Sequence, residues 1–411
     1  MRSTLLPLSL TISSTVLGQW HHPKRAPELD HDSGKACEEI KSQISSASEV
    51  IDGVVELGLT DDTHHWFFES SSETPTCVVE VGSPADVSVA MTAIGNHGAP
   101  FALYSAGHAS NKGFSSTTGV HIAMKRMNQV VLSADKSTVE IGTGNGWADV
   151  YGKLDGTGVN VVGGRVKGPG VDENPDLFFA LKGGLNRFAV VTSAVYKTHP
   201  QTDEVYAGAT IYTSDQVDAV LNATQVFSDV NTDPKAQIIT TINATPVGLA
   251  ALVLFFYDGP DAGTAFEMFD GVDHTISLVR AQSFSTFVST VDSSISLNPR
   301  GTFNTLPTTK TTPAFLAAVK NQASLNLYFS WTFESDDQFW NDAMVNAISE
   351  LREVAKQEGI FDESSAVYPN YAISGTTAEQ LYGSANAARL RTIKASVDPN
   401  NVMNLAGGFD I

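Results

Sequence analysis

The stretch Phe101-Ala-Leu-Tyr-Ser-Ala-Gly-His-Ala-Ser-Asn-Lys-Gly113 restricts this chain most. Phe101 to Tyr104 is a short apolar run of the kind that forms a buried strand. It breaks into Ser105, Ala106, Gly107, His108, Ala109 and Ser110, small residues around one histidine. Small side chains and glycine let a backbone approach a ligand closely, and successive exposed N–H groups form an anion-binding nest. A turn of this composition is equally an ordinary surface loop. On pattern alone that reading is preferred, so the weight falls on the flanks.

Upstream, Ala36 to Ile51 places Cys37, Ile40, Ile44 and Ala47 on one helical face. Val78 to Val81 reads as a strand. Ser83 then suits an N-cap and Pro84 the first helical position. Val87, Met91 and Ile94 form the buried stripe of that helix, and His97-Gly98 ends it. Strand, helix and strand make a crossover unit, with the His108 loop leaving its second strand. Downstream, residues 120 to 125 alternate as a strand, and Val130 to Leu132 with Val139 to Ile141 form a hairpin. Trp147 to Leu154 reads as a helix, and Val159 to Val162 and Phe188 to Val195 as strands. Past Pro200 the texture changes. Residues 207–212, 236–242, 249–257 and 325–332 are strand-like, and 214–230, 260–272, 313–322 and 336–357 helix-like. They predict a mixed α+β domain.

The formal net charge is −20. The long-range field argues against nucleic acid and anionic membranes as partners. With 42% hydrophobic and 17% charged residues, the chain is globular, and its length predicts two domains. Met1 to Gly18 carries one early positive charge and a mostly apolar run, which reads as a secretory signal peptide. Asn222-Ala-Thr224 and Asn243-Ala-Thr245 are sequons that suit a secreted glycoprotein. Cys37 and Cys77 are the only cysteines. In an oxidising compartment an even pair predicts one disulfide.

The flanking motifs keep a recognisable order. They are Thr76-Cys-Val-Val-Glu-Val-Gly-Ser-Pro-Ala-Asp-Val87, Gly119-Val-His-Ile-Ala-Met-Lys-Arg-Met-Asn128, Gly142-Thr-Gly-Asn-Gly146, Val161-Val-Gly-Gly-Arg165 and Asn174-Pro-Asp-Leu-Phe-Phe-Ala-Leu-Lys-Gly-Gly184. In this order the chain resembles the flavin-binding domain of the p-cresol methylhydroxylase superfamily, and within it the secreted berberine-bridge-enzyme-like oxidases. The resemblance runs, with one gap, from about Cys77 to Thr192. It returns at Tyr368-Pro-Asn-Tyr-Ala372, Tyr382-Gly383 and Asp398-Pro-Asn-Asn-Val402.

The resemblance implies an α+β fold: a two-subdomain FAD-binding domain, a mixed α+β substrate domain and a C-terminal segment returning to the first. The expected division is 1–18 signal peptide, 19–70 helical segment, 71–200 FAD-binding domain, 201–350 substrate domain and 351–411 C-terminal segment. It implies FAD as cofactor, bonded covalently through the histidine of an "S-G-G-H-S" loop. That loop here reads Ser105-Ala-Gly-His-Ala109, so the role falls on His108. Ser105 to Ser110, Gly163, Gly164 and Asn370 become expected flavin contacts. Relatives with a second covalent link carry a cysteine in a "G-G-x-C" position. Arg165 stands there, so only the histidyl bond is expected.

After Gly168-Pro-Gly170 the pattern departs. Relatives continue with a "G-G-G" loop, a helix and a strand pair, whereas Val171 here runs straight into Asp172-Glu-Asn-Pro-Asp-Leu177. Several tens of residues are missing from inside the cofactor domain. Lost coding sequence in the gene model is the preferred explanation, and a naturally truncated relative the alternative. Two functions follow. One is a secreted FAD-dependent oxidase passing a hydride from an alcohol, sugar or secondary metabolite to flavin and then to molecular oxygen. The other is a catalytically silent relative with impaired flavin binding. For the oxidase, Tyr368 and Tyr371 are the candidate bases, with packing tyrosines the near-even alternative. A phenol has to be lowered in pKa by a neighbour to act so. No metal site is expected: His21-His22, His31 and His64-His65 lack the spacing or carboxylate company of one. No G-x-S-x-G appears, and Gly142 to Gly146 lacks the remaining glycine and acidic partner of a dinucleotide fingerprint.

Overall fold

The computed structural model describes residues 32–52, 65, 67–163, 174–245, 248–292, 300–321 and 327–411. The signal-peptide reading, Gly164 and the join at Val171 lie outside the described residues. Helix α1 (Ser33–Gln43) is followed by strand β1 (Glu49–Asp52) and then β2 (Cys77–Glu80). Helix α2 (Pro84–His97) leads to β3 (Phe101–Tyr104) and β4 (Val120–Ala123). The sheet order is β1-β2-β4-β3, with β2, β4 and β3 mutually parallel and β1 antiparallel at the edge. Cys37 and Cys77 are disulfide-bonded, joining α1 to β2 as expected. The cap of α2 also forms as read: Ser83 Oγ accepts from Asp86 N–H, and Gly98 closes the helix at φ 57°. A left-handed C-cap favours glycine because no Cβ is crowded there.

One expectation fails in this layer. The helix read over Ala36 to Ile51 stops at Gln43, and Glu49–Asp52 pairs with β2 instead. Serines 45, 46 and 48 interrupt it, since serine side chains compete for backbone groups and favour turns over helix interiors.

The second sheet orders β5 (Val130–Leu132), β6 (Thr138–Gly142) and β8 (Ser193–Lys197), packed by α3 (Trp147–Leu154). The two-residue β7 (Val159–Asn160) pairs β9 (His199–Pro200). The strand read over Phe188 to Val195 therefore begins only at Ser193. Before it the chain is irregular, Thr192 accepting from Thr143 N–H. Helix α4 (Pro175–Leu181) precedes it. A third sheet comprises β10 (Val205–Tyr212), β11 (Ala236–Thr245), β12 (Gly248–Tyr257), β13 (Ile276–Ser277) and β14 (Arg280–Gln282). It is backed by α5 (Val217–Val230). The helix read over 260–272 is only a short 3-10 turn at Glu267–Phe269. Helix α6 (Phe284–Asp292), β15 (Arg300–Asn304), α7 (Pro313–Asn321), β16 (Leu327–Trp331) and α8 (Asp337–Gln357) follow. Helices α9 (Ala378–Tyr382) and α10 (Ser384–Val397) then bring the chain back to the first sheet. There Ala406 bridges Phe101, and Met403 and Ala406 enter the core of β2, β3, β4 and α2. Both sequon asparagines are exposed, Asn222 on α5 and Asn243 on β11.

Asp86 is the buried polar hub between α1, β1 and α2. It accepts from Ser45 N–H at 2.8 Å and from the hydroxyls of Ser45, Ser48 and Ser83 at 2.7 Å each. Burial alone would raise its pKa. These bonds outweigh burial by stabilising the carboxylate and hold it at about 2. The folded value lies below the unfolded one, so this stabilisation is full above the ordinary carboxylate range and is lost as the pH falls towards 2. Asp86→Asn is expected to cost about 1–3 kcal/mol at neutral pH and to flatten that acid loss. Urea unfolding across the acid range checks it, and the same acid dependence in both proteins would contradict it.

Candidate cofactor and active site

The His108 loop leaves the C-terminal end of parallel strand β3, the end at which open α/β sheets bind ligands. Gly107 adopts φ 67° and is buried, while Ser105, Ala106 and His108 are exposed and Ala109 and Ser110 half-buried. The loop is pinned along its length. Ser105 Oγ donates to the Thr143 carbonyl at 2.6 Å, and Ser71 Oγ donates to the Ser110 carbonyl at 3.0 Å. Below it, His65 is buried in a ring cluster with Tyr104 and His121. The Ser72 hydroxyl lies 3.2 Å from its Nδ1 and the Ser115 carbonyl 3.1 Å from its Nε2.

Asn111 joins this loop to the C-terminal tyrosine motif. Its Nδ2 donates to the Ala372 carbonyl at 2.9 Å, and its Oδ1 accepts from Ser374 N–H at 3.0 Å. Tyr368 and Tyr371 form a T-shaped pair with centroids 5.2 Å apart, and Asn370 Nδ2 donates to the Tyr368 hydroxyl at 2.9 Å. Tyr371 also packs on Phe303 of β15, 5.3 Å between centroids. Phe303 in turn packs on Phe67 and Tyr328. Burial, and then the neighbouring Tyr368, push the Tyr371 phenol above its ordinary value of 10. It therefore holds its proton at neutral pH and is a hydrogen-bond donor until something lowers it. Gly163 lies against α3, where an added Cβ would run into the Tyr151 hydroxyl.

Two hidden signals stand out beside the expected residues. Asn111 is one. The other is Asn186-Arg187, which fastens the irregular segment before β8 to the returning C-terminus. Asn186 Nδ2 donates to the Gly407 carbonyl at 2.9 Å. Arg187 donates to the Ala406 carbonyl at 2.9 Å and to Asn404 Oδ1 at 2.7 Å. Neither carries a motif that a sequence scan would single out.

Two clefts border the loop. One, of about 210 Å3, lies among Tyr104, Ser105, Thr143, Leu185, Asn186 and Val190. The other, of about 650 Å3, opens between Phe68, Glu69, Glu73, Lys112, Arg300 and Glu334. The loop fits the pyrophosphate of a flavin dinucleotide: an exposed hydroxyl, small residues and a left-handed glycine at a strand's carboxyl end. The smaller cleft beside it, at about 210 Å3, falls short of the roughly 300–1,000 Å3 typical of ligand pockets.

A family model for an FAD-binding domain matches residues 75–163. One described as berberine and berberine-like matches residues 367–408. The first takes in the pinned loop and the second the tyrosine motif. These two matches support a berberine-bridge-enzyme-like member of the FAD-binding superfamily. An uncharacterized FAD-linked oxidoreductase of Arthroderma benhamiae is 28% identical over 298 positions, covering 59% of each chain. The match thus spans under two thirds of that relative's length. The FAD-dependent monooxygenase drtC of Aspergillus calidoustus is 24% identical over 445 positions, covering 84% of each. That alignment is longer than the 411-residue chain while taking in only part of it, so the relative carries residues this member lacks. In fold the chain is similar to 6-hydroxy-D-nicotine oxidase of Arthrobacter nicotinovorans, at a TM-score of 0.71 and 15% identity over 89% of this chain and 98% of that one. It is also similar to a xylooligosaccharide oxidase of Myceliophthora thermophila, at 0.65 and 16% over 92% and 100%.

In this member, Asn111→Ala removes both bonds between the loop and the tyrosine segment. The expected outcome is faster amide exchange around Ser374 and a loss of about 1–3 kcal/mol, read by hydrogen-exchange mass spectrometry and urea unfolding. Unchanged exchange over residues 372–376 would show that Asn111 does not hold the two segments together.

Proposed function

We propose that this protein is a secreted FAD-linked oxidase acting on an alcohol, a sugar or a secondary metabolite, with molecular oxygen as electron acceptor. The observation that carries the reading is the Asn111 bridge, which ties the His108 loop to the segment that follows the tyrosine motif. When bound, the flavin takes a hydride from the substrate carbon and returns electrons to oxygen. His108, on the exposed face of the loop, is the proposed point of covalent attachment, and Ser105 to Ser110 the proposed small-residue cradle. Tyr371 or Tyr368 serves as the group that takes the hydroxyl proton, with Asn370 orienting the Tyr368 phenol. The Cys37–Cys77 bond supports passage through an oxidising compartment. A second reading, a catalytically silent relative, is favoured by the narrow cleft beside Ser105.

Acid precipitation separates these readings, because a covalent flavin survives unfolding. With a "G-G-G"-bearing stretch restored between Val166 and Asp176, the pellet is expected to be yellow, and His108→Ala to lose the colour. The 411-residue chain as it stands is expected to retain little or no flavin. A stoichiometric covalent flavin on it would contradict the reading of the internal gap, and a colourless restored chain would contradict the flavoprotein reading. In the restored chain, Tyr371→Phe or Tyr368→Phe is expected to slow turnover about 10²–10⁴-fold with flavin content intact. Unchanged rates in both variants would return these tyrosines to a packing role.

A further inference from the structure

Leu185 has φ 53°, one of three non-glycine residues with positive φ among the described residues. The other two are Lys136 and Asn401. Lys136 sits in the turn between β5 and β6, and asparagine tolerates this backbone. A branched apolar residue there is a genuine outlier, and such outliers persist only where the surroundings over-determine them. The surroundings do so on both sides. Gly184 N–H donates to the Ala180 carbonyl at 2.7 Å, and an added Cβ on Gly184 would run into the Phe188 ring. After it, the side chains of Asn186 and Arg187 are fixed to the carbonyls of Gly407 and Ala406. The backbone cannot turn Leu185 away. The residue lines the cleft of about 210 Å3, in company with Ser105 and Thr143. It is also 37% exposed, so its burial gives little that would offset the strained backbone.

We infer that the Leu185 side chain is a steric plug in the cleft beside the His108 loop, and that its bulk limits how much of a flavin dinucleotide this chain can hold. The inference rests on the FAD-linked reading. Removing the isobutyl group opens the cleft between Ser105, Thr143 and Val190 without touching the pinned residues on either side.

The test titrates the full-length parent, Leu185→Gly and Leu185→Ala with FAD, following flavin fluorescence, with thermal melts to confirm folding. Leu185→Asn, whose side chain tolerates the left-handed backbone, replaces either variant that fails to fold. Both variants are expected to bind FAD about tenfold more tightly than the parent. Alanine keeps the Cβ and the left-handed penalty, so a gain shared by both assigns the effect to bulk. A gain in Leu185→Gly alone would assign it to backbone relaxation and overturn the plug. Equal affinity in all proteins would overturn the plug and leave the FAD-linked reading standing. No binding by any of them would likewise overturn the plug, since removing the bulk would then gain nothing, and the colour of the restored chain's acid pellet would still decide the FAD-linked reading.

Discussion

Arg187 fastens the segment before β8 to the returning C-terminus. It is 4% exposed and carries its guanidinium into that join. Burial lowers its pKa, and Asp410 and Asp398 act in the opposite direction. Asp410 is 4.0 Å away and largely exposed, and the guanidinium also donates to the carbonyls of Met403 and Ala406. Five fixed donors in a planar fork suit that task in a way that a lysine would not. Through Ala406 the clamp reaches Phe101 of β3, the strand from which the His108 loop departs. Gly407 approaches the Gly113 carbonyl so closely that a Cβ would clash with it, and Phe409 stacks edge-on against Phe114. The His108 loop is thus braced by residues some three hundred positions away in sequence.

The candidate site draws on both ends of the chain. The first sheet presents the loop, and the tail brings Tyr371 against Phe303 of β15 and Ala372 and Ser374 against Asn111. Asn111 closes the arrangement with one donor and one acceptor, which satisfies both ends of its amide. The same bracing has a consequence at Leu185, whose left-handed backbone is enforced by its anchored neighbours.

Much of this was legible in the sequence, and the reasons are local. Ser83-Pro84 and His97-Gly98 bound α2 because caps depend on nearest neighbours, and the apolar run Phe101–Tyr104 formed its strand. The disulfide followed from there being two cysteines. What failed depended on distant partners. The serines that end α1 are held by Asp86, some forty residues on. The run Phe188–Thr192 has strand composition, yet its neighbours Asn186 and Arg187 are bound to the tail rather than to a strand. Asn111 and Arg187 are ordinary residues until the C-terminus arrives beside them. The motifs for His108 and for Tyr368 to Tyr371 were visible by resemblance. The bridge between them was not, because no local pattern encodes a contact across 261 positions.

Hydrogen exchange on Arg187→Met distinguishes a loop braced by the tail from one that stands alone. That variant keeps a long apolar stem but deletes the guanidinium's bonds to the Ala406 carbonyl and Asn404. If the tail braces the cofactor loop, peptides covering residues 398–410 and 105–114 should both exchange faster, and by comparable factors, while those of α5 and β12 stay unchanged. Faster exchange in the tail with the 105–114 loop unaltered would show that the loop stands without the C-terminal segment, and would contradict the account.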